Sequence, residues 1–438
     1  MKLKTTLTAL WVIAALGMSG QTTREETIAD LNRCGGVYLP YPAPEAQLTA
    51  APRGYEPFYV SHLGRHGSRY LIGDRDLTRW VDVMTQADKA GALTPKGQQV
   101  LATLRAFAQE MDGRGGELTP LGERQHKGIA RRMAATAPGA FAKGAEVTAV
   151  STPVMRCAYS MMAFTDGLKE ANPQLEIPRE SSERHRRYLN YHSRESDALN
   201  KADSINAPIE ALKTRLTHPE RLISTLFADS LYAARNIDAP ALMHGLYWIA
   251  VDLPNSERGT SLYDVFTADE LYDLWQIYNF DFFVHNANYT RAGGLHVDNA
   301  ARLLNDMVTK ADSYIADGKH GATLRFAHDG NLIPLAAKMQ LDSCWQPATS
   351  PEELPGVWAN WKVSPMAANI QMIFYRSKAN PKDVLVKFLL NENEIGIPVK
   401  TDIYPYYRWS DARAHLQKMI DTPFETLGAT KTDNTTTR

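Results

Sequence analysis

Cysteine is scarce in this chain, and neither sign of charge dominates. Only Cys34, Cys157 and Cys344 occur among 438 residues, so at most one internal disulfide can form and a disulfide-stapled scaffold is excluded. Lys and Arg number 48 against 49 Asp and Glu, a net charge of −1, which leaves no basic excess for nucleic acid. The sequence also lacks HExxH, CxxC and P-loop patterns, so a zinc or ATP site has little support.

Long apolar runs are also missing, apart from a short one near the N-terminus. Leu7–Leu16 follows Lys2 and Lys4 and precedes the small residues Ser19 and Gly20, which is typical of a signal peptide over the first twenty residues. The run is too short to span a bilayer. An uncleaved anchor is the alternative, but no basic stop-transfer run follows. We therefore expect export to the periplasm or medium, no stable membrane insertion after cleavage, and a mature net charge lowered from −1 to −3.

The pattern of apolar segments predicts an α/β fold. It consists of a mixed, mostly parallel sheet flanked by helices, with an inserted all-helical lobe. The domains are a signal peptide (1–20), an α/β core (21–184 and 321–438) and the lobe (185–320). Within the core, residues 21–54 are polar and rich in proline, which favours an irregular arm. Apolar runs predict core strands at Phe58–Leu63, Glu146–Ser151, Ala322–Ala327, Ile370–Tyr375 and Val384–Leu390.

The first predicted strand ends in a dense group of chemically active side chains, Arg65-His66-Gly67-Ser68-Arg69. Guanidinium groups match the oxygens of a phosphoryl group, and a neutral imidazole can attack its phosphorus. Gly67 would let the backbone approach the anion closely. The alternative is a basic loop that happens to follow a strand.

Two further motifs also follow predicted strands. His328-Asp329 lies at the end of one strand, in LRFAHDGNLIPL, where open α/β sheets place their ligands. Arg156 lies in EVTAVSTPVMRCAYSMMAF, in the first turn of a helix opened by Thr152-Pro153, and a helix N-terminus favours anions. Taken alone, Asp329 could be a helix cap, Arg156 a surface arginine, and the neighbouring Cys157 a buried thiol. Their shared position after strands favours one site.

A basic segment, Arg179–Arg194, lies between the core and the predicted lobe. Its cations Arg184, Arg186 and Arg187 could form a positive rim that gathers a polyanionic substrate. The competing interpretation is a solvated face whose charge is neutralised by Glu180 and Glu183.

Together the three motifs resemble the histidine phosphatase superfamily, branch 2, which holds the histidine acid phosphatases and phytases. The resemblance covers residues 55–415 and implies an enzyme that needs no cofactor or metal. It also implies roles for six side chains: His66 as the phosphorylated nucleophile, Asp329 as proton donor, and Arg65, Arg69, Arg156 and His328 as phosphate ligands.

The substrate expected from the resemblance is a small phosphorylated molecule, most specifically an inositol polyphosphate such as phytate. LTPLGERQHKGIARRM (118–133) is similar to a helix of multiple inositol polyphosphate phosphatases. Those enzymes usually carry His-Ala-Glu where this chain has His328-Asp329, which leaves a sugar-phosphatase or a broad acid phosphatase as alternatives. A mutase-type phosphotransferase and a non-catalytic phosphate binder are less favoured, since the export signal and an intact nucleophile and acid argue against them.

Overall fold

The computed structural model describes residues 19–424, except 43, 45, 46 and 191. Residues 1–18 of the predicted signal peptide lie outside this part. The sheet of the described residues has eight strands: β1 (Tyr55–Arg65), β2 (Glu146–Ser151), β3 (Arg179–Ser181), β4 (Gly321–Ala327), β5 (Asn369–Ser377), β6 (Val384–Leu390), β7 (Asn393–Ile395) and β8 (Tyr406–Arg408).

The strands form one mixed sheet with the order β3-β2-β4-β1-β5-β6-β7, and β8 pairs with β6. The half from β3 to β1 is parallel, and β5 to β8 are antiparallel. All five predicted strands are present. Four of the runs are buried within the sheet, and in Glu146–Ser151 buried residues alternate with more exposed ones. The predicted α/β fold with a mixed sheet and flanking helices is confirmed.

Register in the parallel half brings the sequence motifs together. Arg65 pairs with Ala327 at the ends of β1 and β4, so the residues that follow each strand emerge side by side. Ser151 at the end of β2 pairs with Phe326, so β2 ends at the same edge. This carboxyl edge is where parallel sheets place ligands.

Helices cover the sheet and fill the interval between β3 and β4. The described residues contain these α-helices: α1 (Ser19–Ala29), α2 (Arg75–Lys89), α3 (Pro95–Met111), α4 (Pro120–Thr136), α5 (Met155–Ala171), α6 (Arg194–Leu199), α7 (Asp203–Leu216), α8 (Glu220–Leu226), α9 (Ser230–Asn236), α10 (Ala239–Asp252), α11 (Ala268–Asn286), α12 (Leu295–Asp298), α13 (Ala301–Ala316), α14 (Asp329–Lys338), α15 (Asn360–Val363) and α16 (Trp409–Asp421). Short 3-10 helices occupy Leu31–Tyr38, Pro138–Phe141, Glu183–Arg187, Leu253–Asn255, Tyr263–Val265, Thr290–Ala292 and Leu354–Gly356.

The interval between β3 and β4 is helical, with no strand among its described residues. One apolar cluster runs through both regions, joining Leu63 of β1 to Trp275 and Phe280 of α11. The division into a core and an inserted lobe therefore stays a prediction. None of the helices in the described ranges has the length and apolar character that crossing a membrane requires.

The prediction of an irregular arm over residues 21–54 is wrong for its first half. Helix α1 and the 3-10 helix Leu31–Tyr38 occupy it, and Cys34, Val37 and Tyr38 are buried. The segment packs against α11, and this tertiary contact overrides a polar local sequence. All three cysteines of the chain lie in the described residues and are buried free thiols.

Candidate active site

The loop after β1 is held from both sides by backbone hydrogen bonds. The N–H of His66 donates to the carbonyl oxygen of Ala327 at the end of β4 (3.0 Å), and the N–H of Ala367 donates to the carbonyl oxygen of His66 (2.9 Å). The side chain of His66 is 2% exposed. The imidazole is therefore fixed at the carboxyl edge of the parallel strands.

Hydrogen bonding indicates which ring nitrogen of His66 carries the hydrogen. Its Nδ1 lies 3.0 Å from the carbonyl oxygen of Gly67, which can only accept a proton, so Nδ1 carries the hydrogen. Nε2 then keeps its lone pair. Burial, followed by the charges of Arg65, Arg156 and Arg69, places the pKa of His66 well below its ordinary 6.5. His66 is thus a neutral imidazole with its hydrogen on Nδ1 and a lone pair on Nε2.

The cations around His66 are themselves anchored. Arg65 is fully buried; its Nη1 donates to the carbonyl oxygens of Val37 (2.5 Å) and Ser364 (2.8 Å). The Nη1 of Arg69 donates to the carbonyl oxygen of Tyr70 (2.8 Å), and the guanidinium of Arg69 lies 4.5 Å from the ring centre of Tyr38. Such fixed guanidinium groups lose little entropy on binding an oxyanion.

Arg156 approaches from a different element. It is the second residue of α5, which begins at Met155, two residues after the Pro153 start predicted from the sequence. Its charge lowers the pKa of both His66 and His328, so it acts electrostatically on both rings. The site therefore combines three arginines from the β1 loop and the start of α5.

His328 and Asp329 complete the group at the start of α14. The imidazole rings of His66 and His328 have centres 5.7 Å apart, and Nε2 of His328 lies 3.2 Å from Oγ1 of Thr152. Burial, then Arg156, lowers the pKa of His328 to about 4. This ring is accordingly neutral and can donate one hydrogen bond to an oxyanion.

Asp329 lies at the solvent side of the group, with its side chain 26% exposed. One carboxylate oxygen accepts the N–H of Gly330 (2.9 Å), and the other lies 2.9 Å from Nη2 of Arg65. Burial would raise the pKa of Asp329, but the charge of Arg65 and the hydrogen bond from the N–H of Gly330 outweigh it and lower that pKa. The site thus holds an ionised carboxylate paired with Arg65.

The start of α4 packs directly on the loop after β1 (residues 66–69, called the catalytic loop below). Two glycines, Gly67 and Gly122, permit the contact. A Cβ at Gly122 would lie 2.3 Å from the carbonyl oxygen of Ser68, and one at Gly67 would lie 2.7 Å from the carbonyl oxygen of Gly122. The N–H of Gly67 donates to Oγ of Ser160 (3.1 Å). Gly67 therefore permits close packing against α4, and its N–H is directed to α5; a close approach of its backbone to an anion stays a prediction.

We expect Gly122→Ala to lower both stability and turnover, because the added methyl group must displace the catalytic loop. Overpacking of this kind costs about 1–3 kcal/mol in the free energy of unfolding. Gly128→Ala in the same helix is the matched control, since its Cβ would meet only the flexible guanidinium of Arg132 at 3.2 Å. Urea unfolding and kcat are measured for both variants; equal behaviour of the two would contradict the packing argument.

The predicted rim lies in the 3-10 helix Glu183–Arg187, directly after β3. Arg184 pairs with Glu180, and Arg186 pairs with Glu183 at 3.0 Å, both at the surface. Arg186 also lowers the pKa of His328, so its charge reaches the site. The structure thus shows the pairing with Glu180 and Glu183 that the solvated-face interpretation requires. A rim function stays a prediction.

Sequence reasoning overlooked several residues that shape the site. Thr152 and Cys157 both contact His328: the Sγ of Cys157 lies 3.7 Å from its Nε2. Gln125 and Asn255 bind the hydroxyl of Ser68 from α4 and from the segment after α10. Thr152 was detectable as the first residue after a strand, whereas Asn255 carries no local signal.

Comparisons with known proteins support the fold. No family model matches the chain, and neither does any curated protein. The multiple inositol polyphosphate phosphatase of Bifidobacterium longum, in complex with phosphate, is similar with a TM-score of 0.75 and 21% identity over 90% of this chain and 99% of that one. Its complex with inositol hexasulfate gives a TM-score of 0.73 and 20% identity over 88% and 97% of the two chains.

A second enzyme shows the same likeness at greater distance. The phytase from D. castellii has a TM-score of 0.63 and 14% identity over 89% of this chain and 85% of that one. The six motif residues of this chain meet at the carboxyl edge of the shared sheet architecture. The chain therefore has the histidine acid phosphatase fold that its sequence motifs predict.

Proposed function

We propose that this protein is a phosphomonoesterase that works through a phosphohistidine on Nε2 of His66. The observation that carries the proposal is a buried, neutral His66 whose Nδ1 is engaged by the Gly67 carbonyl while three arginines surround it. Arginines offset the charge that otherwise repels a nucleophile from a phosphate dianion. A neutral nitrogen can then attack in line.

In the first step the lone pair of Nε2 forms a bond to phosphorus, and the ester P–O bond breaks. The departing oxygen takes its electron pair and receives the proton of Asp329. The Nδ1–H of the resulting phosphoimidazolium stays bonded to the Gly67 carbonyl, which stabilises its positive charge. Arg65, Arg69 and Arg156, with His328, hold the three equatorial oxygens.

In the second step water attacks the phosphorus and the P–N bond breaks, returning its electron pair to Nε2. The carboxylate of Asp329 accepts the proton of the water and is then ready as an acid again. Asp329 must be protonated when substrate is bound, although Arg65 holds it ionised in the empty site. A bound phosphate dianion offsets the Arg65 charge and so favours that protonation.

The substrates we propose are inositol polyphosphates, in a periplasmic or secreted enzyme. The fold neighbours named above and helix α4, which carries the LTPLGERQHKGIARRM pattern, support this class. The His328-Asp329 pair, in place of His-Ala-Glu, keeps a glucose-1-phosphate type or broad acid phosphatase as the alternative.

A phosphate-release panel tests the proposal with phytate, glucose-1-phosphate, a nucleotide and para-nitrophenyl phosphate. The highest kcat/KM for phytate supports the inositol class, and the highest value for glucose-1-phosphate supports the alternative. An isomerised product without free phosphate would identify a mutase. Binding of phosphate without turnover of any ester would overturn the enzyme assignment. N-terminal sequencing of protein recovered from the periplasm or medium tests export; retention of residues 1–20 in the cytoplasm would reject it.

Activity should extend well to the acid side of neutrality. His66 must be neutral to attack, and its pKa is lowered well below 6.5, so acidification through pH 6.5 should not inactivate it. Asp329 must be protonated, and its lowered pKa means that this form is lost as pH rises. We therefore expect kcat/KM for glucose-1-phosphate, whose departing alkoxide needs the Asp329 proton, to peak below pH 6.5. An acid limb centred at or above 6.5 would show that His66 titrates as a solvated imidazole.

The basic rim is proposed to favour polyanionic substrates over monophosphates. Replacing Arg184, Arg186 and Arg187 together by alanine should reduce the ratio of kcat/KM for phytate to that for glucose-1-phosphate. Added salt should shrink the difference, since exposed charges are screened within about 8–10 Å at physiological ionic strength.

The matched control removes three surface arginines elsewhere, each also paired with an acid: Arg24, Arg131 and Arg215. This control changes net charge by the same amount and should keep the wild-type preference. If the rim variant also keeps it at every salt concentration, the basic segment is a solvated face.

A further inference from the structure

A buried hydrogen-bond chain crosses the catalytic loop between His66 and Arg69. Oγ of Ser68 donates to Oδ1 of Asn255 (2.6 Å) and accepts from Nε2 of Gln125 (2.8 Å). The N–H of Ser68 donates to Oε1 of the same Gln125 (2.9 Å). Ser68 and Asn255 are fully buried, and Gln125 is 9% exposed. Ser68, which follows Gly67 in the loop, is thus bound from α4 and from the segment after α10.

Asn255 also reaches a second part of the site. Its Nδ2 donates to the carbonyl oxygen of Tyr38 (2.9 Å), and the ring of Tyr38 carries the guanidinium of Arg69 at 4.5 Å. Asn255 ends the 3-10 helix that follows α10, and it lies 187 residues from Ser68 along the chain. One amide therefore fixes both the loop beside His66 and the platform beneath a phosphate-binding arginine.

Each member of this hydrogen-bond chain bonds to other groups of the protein. The single hydroxyl proton of Ser68 goes to Asn255, and the oxygen and one N–H of both amides, Asn255 and Gln125, are engaged. Hydrogen bonds in a dry interior are strong, and a connected set holds its members more tightly than isolated pairs. Because Ser68 and Asn255 are fully buried, these bonds fit orientation of the loop.

We propose that Ser68 and Asn255 are positioning residues that hold His66 and Arg69 in reactive alignment. The proposal rests on the proposed phosphatase function. Alignment matters because a displacement of about 1 Å at a reacting atom can cost on the order of a hundredfold in rate. The helical segment after α10 thereby contributes to the chemistry through the loop.

The test uses Ser68→Ala, Asn255→Ala and the double variant in the full-length protein. Each single change should lower kcat for para-nitrophenyl phosphate by roughly ten- to a hundredfold. The double variant should be no slower than the slower single one, because both changes break the same link. Ser68→Ala removes only a hydroxyl, so it decides the question even where Asn255→Ala fails to fold.

The matched control is Asn172→Ala. Asn172 also donates a side-chain hydrogen bond to a backbone oxygen, that of Phe141 (2.8 Å), at the far end of α5. This helix of 17 residues extends about 25 Å, so the control site lies far from Arg156 at its start. The control should shift the melting temperature without changing kcat measured well below it.

A second readout does not depend on turnover. Nitrogen NMR of the imidazoles should show His66 as one tautomer with hydrogen on Nδ1 in the wild type, and a mixture in both single variants. If both variants keep the wild-type kcat and tautomer, or if their effects on kcat simply multiply, the positioning role is wrong. A wild-type protein that releases no phosphate would contradict the proposed function. Comparing the His66 tautomer in wild type and variants would still decide the role of Ser68 and Asn255.

Discussion

Replacing His66 by alanine should abolish turnover while the protein stays folded and still binds inorganic phosphate. Within the catalytic loop only His66 presents an unprotonated nitrogen amid the arginines, so its loss removes the covalent route. The nucleophile supplies several kcal/mol of barrier lowering, and a fall in kcat of at least roughly a thousandfold is expected. Phosphate release from phytate and phosphate binding by calorimetry are measured together.

The control for this change is His285→Ala. His285 is paired with Asp281 within α11, away from the β1 loop, and its loss should leave kcat unchanged. A purified His66→Ala protein that turns over at a near-wild-type rate would remove His66 from the mechanism. Lost phosphate binding, by contrast, would point to a misfolded loop, and the melting temperature identifies that case.

Asp329→Asn should separate substrates by their leaving groups. Asparagine keeps the shape of the side chain but cannot supply the proton, and a positioned acid contributes about 10²–10⁴-fold when the departing alkoxide is basic. Turnover of phytate or glucose-1-phosphate should fall by that much. Turnover of para-nitrophenyl phosphate should fall far less, because its phenolate leaves without protonation.

Arg156→Ala is the comparison variant, because it should remove a phosphate ligand and leave the proton donor in place. The charge of Arg156 acts on His66 and His328, and in the proposed mechanism it holds the transferring phosphoryl group, so turnover of both kinds of ester should fall alike. If Asp329→Asn slowed both kinds of ester equally, Asp329 would have a positioning role through Arg65, and the acid would have to be sought elsewhere.

The sequence predicted the sheet and the six motif residues because local signals mark them. Apolar runs predict β1 and β4, and each motif begins where its run ends. Two parallel strands that end in register then bring His66 and His328 together. Local patterns, with the rule that parallel strands present their carboxyl ends at one edge, are therefore enough to predict that these residues lie together.

Other parts of the site could not be predicted because they depend on distant packing. Asn255 binds Ser68 across 187 residues, and no periodicity in its own neighbourhood marks it. The helical segment before Tyr38 was misjudged since its sequence is polar and its burial comes from contact with α11. The packing of Gly67 against Gly122 could not be predicted either, because the two glycines approach each other only in the folded chain.

The most direct test of the central claim is rapid-quench trapping of the enzyme during turnover of para-nitrophenyl phosphate. The account predicts one acid-labile phosphoryl group per active site, mapped by mass spectrometry to the peptide containing His66. Phosphorus NMR should place it on Nε2, because Nδ1 is engaged by the Gly67 carbonyl. Steady turnover with no phosphorylated intermediate, or a phosphoryl group on any residue other than His66, would contradict the account.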